Sequence, residues 1–122
     1  HRLISWLCPR MNTLFIATDK IGPGLFIQHG FATIIAASSI GQNCSINQQV
    51  TIGFSGDKGC PTLGDNVLVS AGAKIIGNVF IGNNSVVGAN AVIVKDVPAN
   101  CTVVGVPAYI IKRNGNKVRE KL

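Results

Sequence analysis

The sequence predicts an all-β solenoid, a parallel β-helix, and three observations carry that prediction. Aliphatic side chains recur every six residues, at Ile21 and Ile27, at Ile34, Ile40, Ile46 and Ile52, and at Leu63, Val69, Ile75, Ile81, Val87 and Ile93. Four residues after each aliphatic the side chain is usually small or apolar, as at Leu25, Ser38, Cys44, Val50, Val67, Ala73, Val79, Ser85 and Ala91. Glycine often follows the aliphatic directly, as at Gly22, Gly41, Gly53, Gly64, Gly82 and Gly88. A repeat this short cannot bury its apolar side alone, so successive copies must stack around one narrow core. About twelve hexads at three faces per turn predict about four coils.

Taken in order, residues 1–20 lack the repeat. Their Leu3–Leu7 stretch reads as the end of a helix stopped at Pro9, because proline disfavours the helical conformation in the residue before it. The repeat then occupies residues 21–111 and breaks twice. From Ile27 to Ile34 the step is seven, which predicts one extra residue beside His29, Gly30 and Phe31. From Ile52 to Leu63 it is eleven, so about five residues must loop out between Gly53 and Thr62. Interruptions of a regular scaffold are where function concentrates. After Ile93, residues 95–108 form two proline-bearing turns around a short apolar segment, which reads as a cap on the exposed end of the stack. Residues 112–122 read as a basic, frayed tail.

Composition narrows the alternatives. A chain of 122 residues is one domain, and stacking is a way for so few residues to bury a long apolar column. With 47% hydrophobic and 13% charged residues the average resembles a membrane protein, yet no apolar run approaches the roughly 20 residues that span a bilayer. No signal peptide opens the sequence, and it starts at His1 rather than a methionine, as a piece of a longer chain would. Cys8, Cys44, Cys60 and Cys101 show no CxxC pair or metal-ligand spacing, which points to a reducing, cytoplasmic setting, with Cys44 a small core residue. The net charge of +6 comes from the two ends, where Arg2, Arg10 and Lys20 face only Asp19, and Lys112, Arg113, Lys117, Arg119 and Lys121 face only Glu120. Such a run reads as a solvated tail or as an attractor for a polyanionic ligand. Nucleic acid is disfavoured, because the basic residues are not interleaved with aromatics and no recognition motif is present.

His29 is the one imidazole within the repeat, two residues after a core aliphatic and beside the first break. An imidazole can take the proton of a hydroxyl as its oxygen attacks an acyl carbon. A structural histidine in a turn or subunit interface is the other reading of the same position. Cys60, in the second break, reads either as a wall of an acceptor pocket or, with no second histidine near it in sequence, as a less favoured nucleophile.

The stretches IGPGLFIQHG, QQVTIG, AGAKIIGN and KDVPANCTVVGVPA, in that order and separated by an extruded loop, resemble the left-handed β-helix acyltransferases, and among them the serine acetyltransferases. The resemblance covers residues 21–108. It implies a left-handed solenoid that transfers acetyl from acetyl-CoA to a hydroxyl, with no metal, as a homotrimer whose CoA lies in clefts between subunits. His29 matches the family's general base. Gly53, Ser55, Gly56, Ala71, Gly72 and Ala89 match backbone that lines the CoA cleft, where small side chains permit close approach; tight coil corners would call for the same residues. Gln28 stands where the family has aspartate, and Gly59 and Cys60 stand where it has an arginine–histidine pair. Those substitutions make Gln28 and Cys60 the acceptor-binding candidates and leave serine and a sugar hydroxyl both open. Tyr109 stands where the family has arginine, so phosphate contact there falls to Lys112 and Arg113. Three-histidine zinc β-helices are disfavoured by the single internal histidine, and a passive, non-catalytic solenoid by the two interruptions.

Overall fold

The computed structural model describes residues 12–122, so the helix expected over Leu3–Leu7 lies outside the described residues. The chain winds into a three-sided parallel β-solenoid. The first coil carries β1 (Leu14–Ile16) and β2 (Phe26–Ile27), and the second β3 (Thr33–Ile35), β4 (Ser39–Ile40) and β5 (Ser45–Ile46). The third carries β6 (Thr51–Gly53), β7 (Thr62–Leu63) and β8 (Leu68–Val69), and the fourth β9 (Lys74–Ile76), β10 (Phe80–Ile81) and β11 (Val86–Val87). The fifth carries β12 (Val92–Ile93) and β13 (Cys101–Val104), after which β14 (Tyr109–Arg113) and β15 (Asn116–Lys121) form a hairpin.

Each face is one ladder of matched aliphatics. On the first face, which comprises β1, β3, β6, β9 and β12, Ile16, Ile35, Ile52, Ile75 and Ile93 stand in register. On the second, Ile21, Ile40, Leu63, Ile81 and Val97 do so. On the third it is Ile27, Ile46, Val69, Val87 and Val103. The three ladders converge on one continuous core, in which Ile46, Ile52, Val69, Ile75, Ile81, Val87 and Ile93 have no solvent exposure.

Five coils are therefore present rather than four, because the ladder reaches beyond the hexads at both ends. Leu14–Ile16, within the stretch that lacks the sequence repeat, already pairs with β3. The segment expected to be a cap is largely a fifth coil: Val97 and Val103 extend their ladders although the step from Ile93 to Val97 is only four residues. The tail expected to fray is instead ordered, with β14 pairing antiparallel to β13, and β15 to β14.

One register also differs from the sequence reading. Ile34 points outward, 45% exposed, and its neighbour Ile35 fills the core. Alternation along a strand decides it, since Thr33 and Ile35 share the inward side. The buried Thr33 hydroxyl is satisfied by donating to the Phe31 carbonyl at 3.0 Å. In the same coil Ala37, not Ser38, is the buried small residue.

Candidate active site

The first break is an insertion of two residues, His29 and Gly30, at the corner between the third and first faces. Gln28 N–H still donates to the Ile46 carbonyl, and Gln49 N–H donates to Phe31, so the chain is in register on both sides of the pair. His29 and Gly30 take consecutive left-handed conformations, φ 66° and 71°, and Gly30 N–H closes back on the Gln28 carbonyl at 2.8 Å. The inserted imidazole is exposed, with the Phe31 ring 6.5 Å away at 48°.

Below it the corner continues regularly. Gly72 N–H donates to the Gln48 carbonyl and Asn90 N–H to Ala71, so Phe31, Gln48, Ala71 and Ala89 follow one another along the axis, with Ala32, Gln49, Gly72 and Asn90 beside them. His29, Ala71, Gly72 and Ala89 thus share one edge of the solenoid.

The second break lies at the other edge of the first face, where the chain passes to the second. Gly59 has φ 92°, matching φ 93° at Gly77 one coil on, so the extra segment is Phe54–Lys58. This left-handed corner requires glycine. The loop's base is pinned from both sides: the Gly53 carbonyl accepts from Gly77 N–H at 2.9 Å, and the carbonyls of Cys60 and Pro61 accept from the Ser38 hydroxyl and N–H at 3.0 and 2.7 Å. Ser55 and Gly56 are exposed on the loop, Gly53 is buried and Cys60 half-buried. Burial pushes the Cys44 thiol up, and its Sγ donates to the Gly64 carbonyl at 3.2 Å, which makes it a packing residue. Cys44, Cys60 and Cys101 are all free thiols.

The candidate residues therefore form two groups on opposite edges of one face: Gln28, His29, Ala71, Gly72 and Ala89 on one, Gly53, Ser55, Gly56 and Cys60 on the other. Lys112 and Arg113 join neither group. Both lie on β14, and the Arg113 guanidinium is held by Glu120 at 2.6 and 2.9 Å. Arg119 and Lys121, which the sequence offered only as part of a basic run, edge with Lys95 a cavity of about 900 Å³ at the last coil. The alternating pattern Lys117, Arg119, Lys121 was the available signal of a strand with one charged side.

Comparison with known proteins bears on these positions. Residues 60–95 match the family described as bacterial transferase hexapeptide (six repeats). Over residues 60–95 the chain carries the hexapeptide repeat of that family. A serine acetyltransferase of Synechococcus elongatus is 47% identical over 103 residues, which cover 81% of this chain and 42% of that protein. Among solved structures, serine acetyltransferase from Neisseria gonorrhoeae in complex with serine superposes with a TM-score of 0.73 at 39% identity, covering 79% of this chain and 40% of that one. A serine acetyltransferase complex with CoA gives 0.71 at 38%, covering 78% and 40%. The chain spans less than half the length of the curated serine acetyltransferases it matches. Among the described residues no helix is long and apolar enough to cross a membrane.

Proposed function

We propose that this chain is the acyl-transfer part of an acetyl-CoA-dependent O-acetyltransferase of the serine acetyltransferase type, with His29 as general base. The observation that carries the reading is His29 itself, an exposed imidazole on a two-residue insertion above a corner of small residues. In the reaction an imidazole nitrogen of His29 takes the proton of the acceptor hydroxyl, and the oxygen attacks the thioester carbonyl carbon. The tetrahedral intermediate collapses by breaking the carbon–sulfur bond. The leaving sulfur recovers the proton from the imidazolium, so acetyl ester and CoA thiol form with the base regenerated. Ala71, Gly72 and Ala89 give the donor's pantetheine arm a path of close backbone approach along the corner.

A homotrimer completes the site. The two groups of candidate residues face away from each other within one protomer, and a closed ring of three sets one protomer's His29 edge against the next protomer's loop, with Gly53, Ser55, Gly56 and Cys60. Free thiols at Cys44, Cys60 and Cys101 accord with a cytoplasmic enzyme.

L-Serine is the acceptor that the relatives favour, since a structure with serine is among them. A sugar hydroxyl is the second reading, favoured by the uncharged surroundings of the base: Gln28, Phe31 and Ala32 flank His29 along the chain, and Cys60 is the loop residue before Pro61. The test is CoA release from acetyl-CoA with L-serine and with a panel of sugars, beside His29→Ala. The expected result is a fall in kcat of about 10²–10⁴-fold in the variant. Equal turnover in the variant would remove His29 from the chemistry, and turnover with sugars alone would decide for the second reading.

A further inference from the structure

Backbone strain in this solenoid is concentrated at one corner. Among the described residues, nine other than glycine have positive φ, and six of them are asparagines, which tolerate that conformation better than other L-residues. The other three are His29, Ala32 and Gln49, at φ 66°, 50° and 60°. All three lie on the His29 edge, and they adjoin: Gln49 N–H donates to the Phe31 carbonyl, so Gln49 follows Ala32 by one coil. Residues held in such conformations cluster at functional sites. Two coils beyond Gln49, Asn90 takes the equivalent corner with φ 59°. Both side chains end in a carboxamide, and glutamine differs from asparagine by one methylene. Asparagine would serve the corner with less strain, so what glutamine adds at position 49 is reach.

The level of Gln49 along the axis is the level of the reaction. In the acetyl-transfer reading above, on which this inference rests, His29 holds the attacking hydroxyl one coil before Gln49, and the pantetheine arm lies on Ala71 and Gly72 one coil after it. The thioester carbon must lie between them, within one strand spacing of about 4.8 Å on either side. Gln48 and Gln49 are the corner residues at that level. The Gln49 side chain is exposed, and Ala32 ends at Cβ, so no longer side chain stands at the corner between the carboxamide and the imidazole. The Gln49 backbone is fixed from the first face. Lys74, in register with Thr51, donates from Nζ to the Gln49 carbonyl at 2.6 Å, which holds the strained corner and brings an ammonium to the same level.

We propose that Gln49 is a catalytic residue for acyl transfer, its carboxamide N–H donating to the thioester carbonyl oxygen, with Lys74 as its positioning residue. As the acceptor oxygen bonds to the acyl carbon, the carbonyl π electrons move onto the carbonyl oxygen. The hydrogen bond from Gln49 is strongest when the charge there is greatest, so it favours the transition state over the bound thioester. When the carbon–sulfur bond breaks, the electrons return to the carbonyl and the hydrogen bond weakens again. A carboxamide supplies this donor without competing with His29 for the acceptor's proton.

The test is steady-state kinetics with acetyl-CoA and the same acceptors in two variants. Gln49→Gly removes the carboxamide and fits φ 60° without strain, and Gln49→Asn keeps the carboxamide one methylene short. In Gln49→Gly kcat is expected to fall about 10²–10³-fold with KM for both substrates within about twofold. Gln49→Asn should fall between that variant and the parent, and both should melt at or above the parent's temperature. With the dithioester analogue of acetyl-CoA, whose thiocarbonyl sulfur is a weak acceptor, the difference between parent and Gln49→Gly should shrink. Lys74→Met is expected to lower kcat in the parent and to add little in Gln49→Gly. A raised acceptor KM with unchanged kcat would overturn the proposal by making Gln49 an acceptor contact, and a lower melting temperature in Gln49→Gly would overturn it by making the residue structural. His29-dependent turnover that is indifferent to Gln49 would overturn it and leave the acetyltransferase reading intact. Absence of His29-dependent turnover with every acceptor would sink both.

Discussion

His29 sits in the left-handed region at φ 66°, where most L-residues are strained and asparagine is better accommodated. The chain itself uses asparagine at such corners, at Asn43, Asn66, Asn84, Asn90 and Asn100, with φ between 55° and 59°. Replacing His29 with asparagine is therefore expected to leave thermal stability equal or raise it by up to about 1 kcal/mol, while His29-dependent turnover disappears. A thermal melt beside an activity assay checks both, and a variant that melts markedly lower would make the histidine a structural residue. The candidate base was legible as the lone imidazole of the repeat. Its two-residue insertion was not, because Ile34 and Ile35 are adjacent aliphatics, and spacing alone cannot say which of two neighbours points inward. The second residue-level constraint is close packing at Gly22, Gly41, Gly64 and Gly82. A Cβ on Gly22 would lie 2.7 Å from the Gly41 carbonyl carbon, and one on Gly64 3.0 Å from Asn83 N, so these glycines answer to the coil-to-coil spacing rather than to an unusual φ.

Among the elements, the loop between β6 and β7 separates scaffold from function most cleanly. Its five extra residues, Phe54–Lys58, are exposed, and Phe54 is 66% exposed. Gly59 already occupies the corner conformation that Gly77 has in the next coil. Deleting residues 54–58 restores a six-residue step from Ile52 to Leu63 and lets Gly53 run directly into that corner. The shortened chain is expected to keep its far-UV circular dichroism and to melt within about 1 kcal/mol of the parent, since the closure entropy of a short loop changes little with its length. Acetyl transfer is expected to be lost. Retained activity would mean that the loop takes no part in acceptor or donor binding. The position and length of this loop could be read from the broken clock alone, because the repeat on either side is strict. The β14–β15 hairpin could not. Its charge suggested a solvated tail, whereas the alternation of Lys117, Arg119 and Lys121 with the half-buried Val118 and Glu120 satisfies an edge strand with one basic side.

At the scale of the whole molecule, a solenoid joins each coil only to its neighbours, so its stability is a sum of local interfaces and its ends need covering. The hexads therefore revealed the interior of the molecule and not its two ends, where pairing continues after the sequence period has lapsed. Ile110 shows what the C-terminal end requires. It is 2% exposed, belongs to the same core as the interior ladders, and stands on β14 against β13. Ile110→Ala is expected to cost about 2–5 kcal/mol, as does Ile52→Ala in the central coil, since both truncate a fully buried isoleucine. The two should differ in where the loss appears. Amide hydrogen exchange should rise mainly in β13, β14 and β15 for the terminal variant, because the four coils before them retain their own interfaces. For the central variant it should rise across the coils on both sides, because every path along the stack crosses that position. A uniform rise in both would show that the chain unfolds as a single cooperative unit. The hairpin would then act as a keystone for the whole stack rather than as a cap on its last coil.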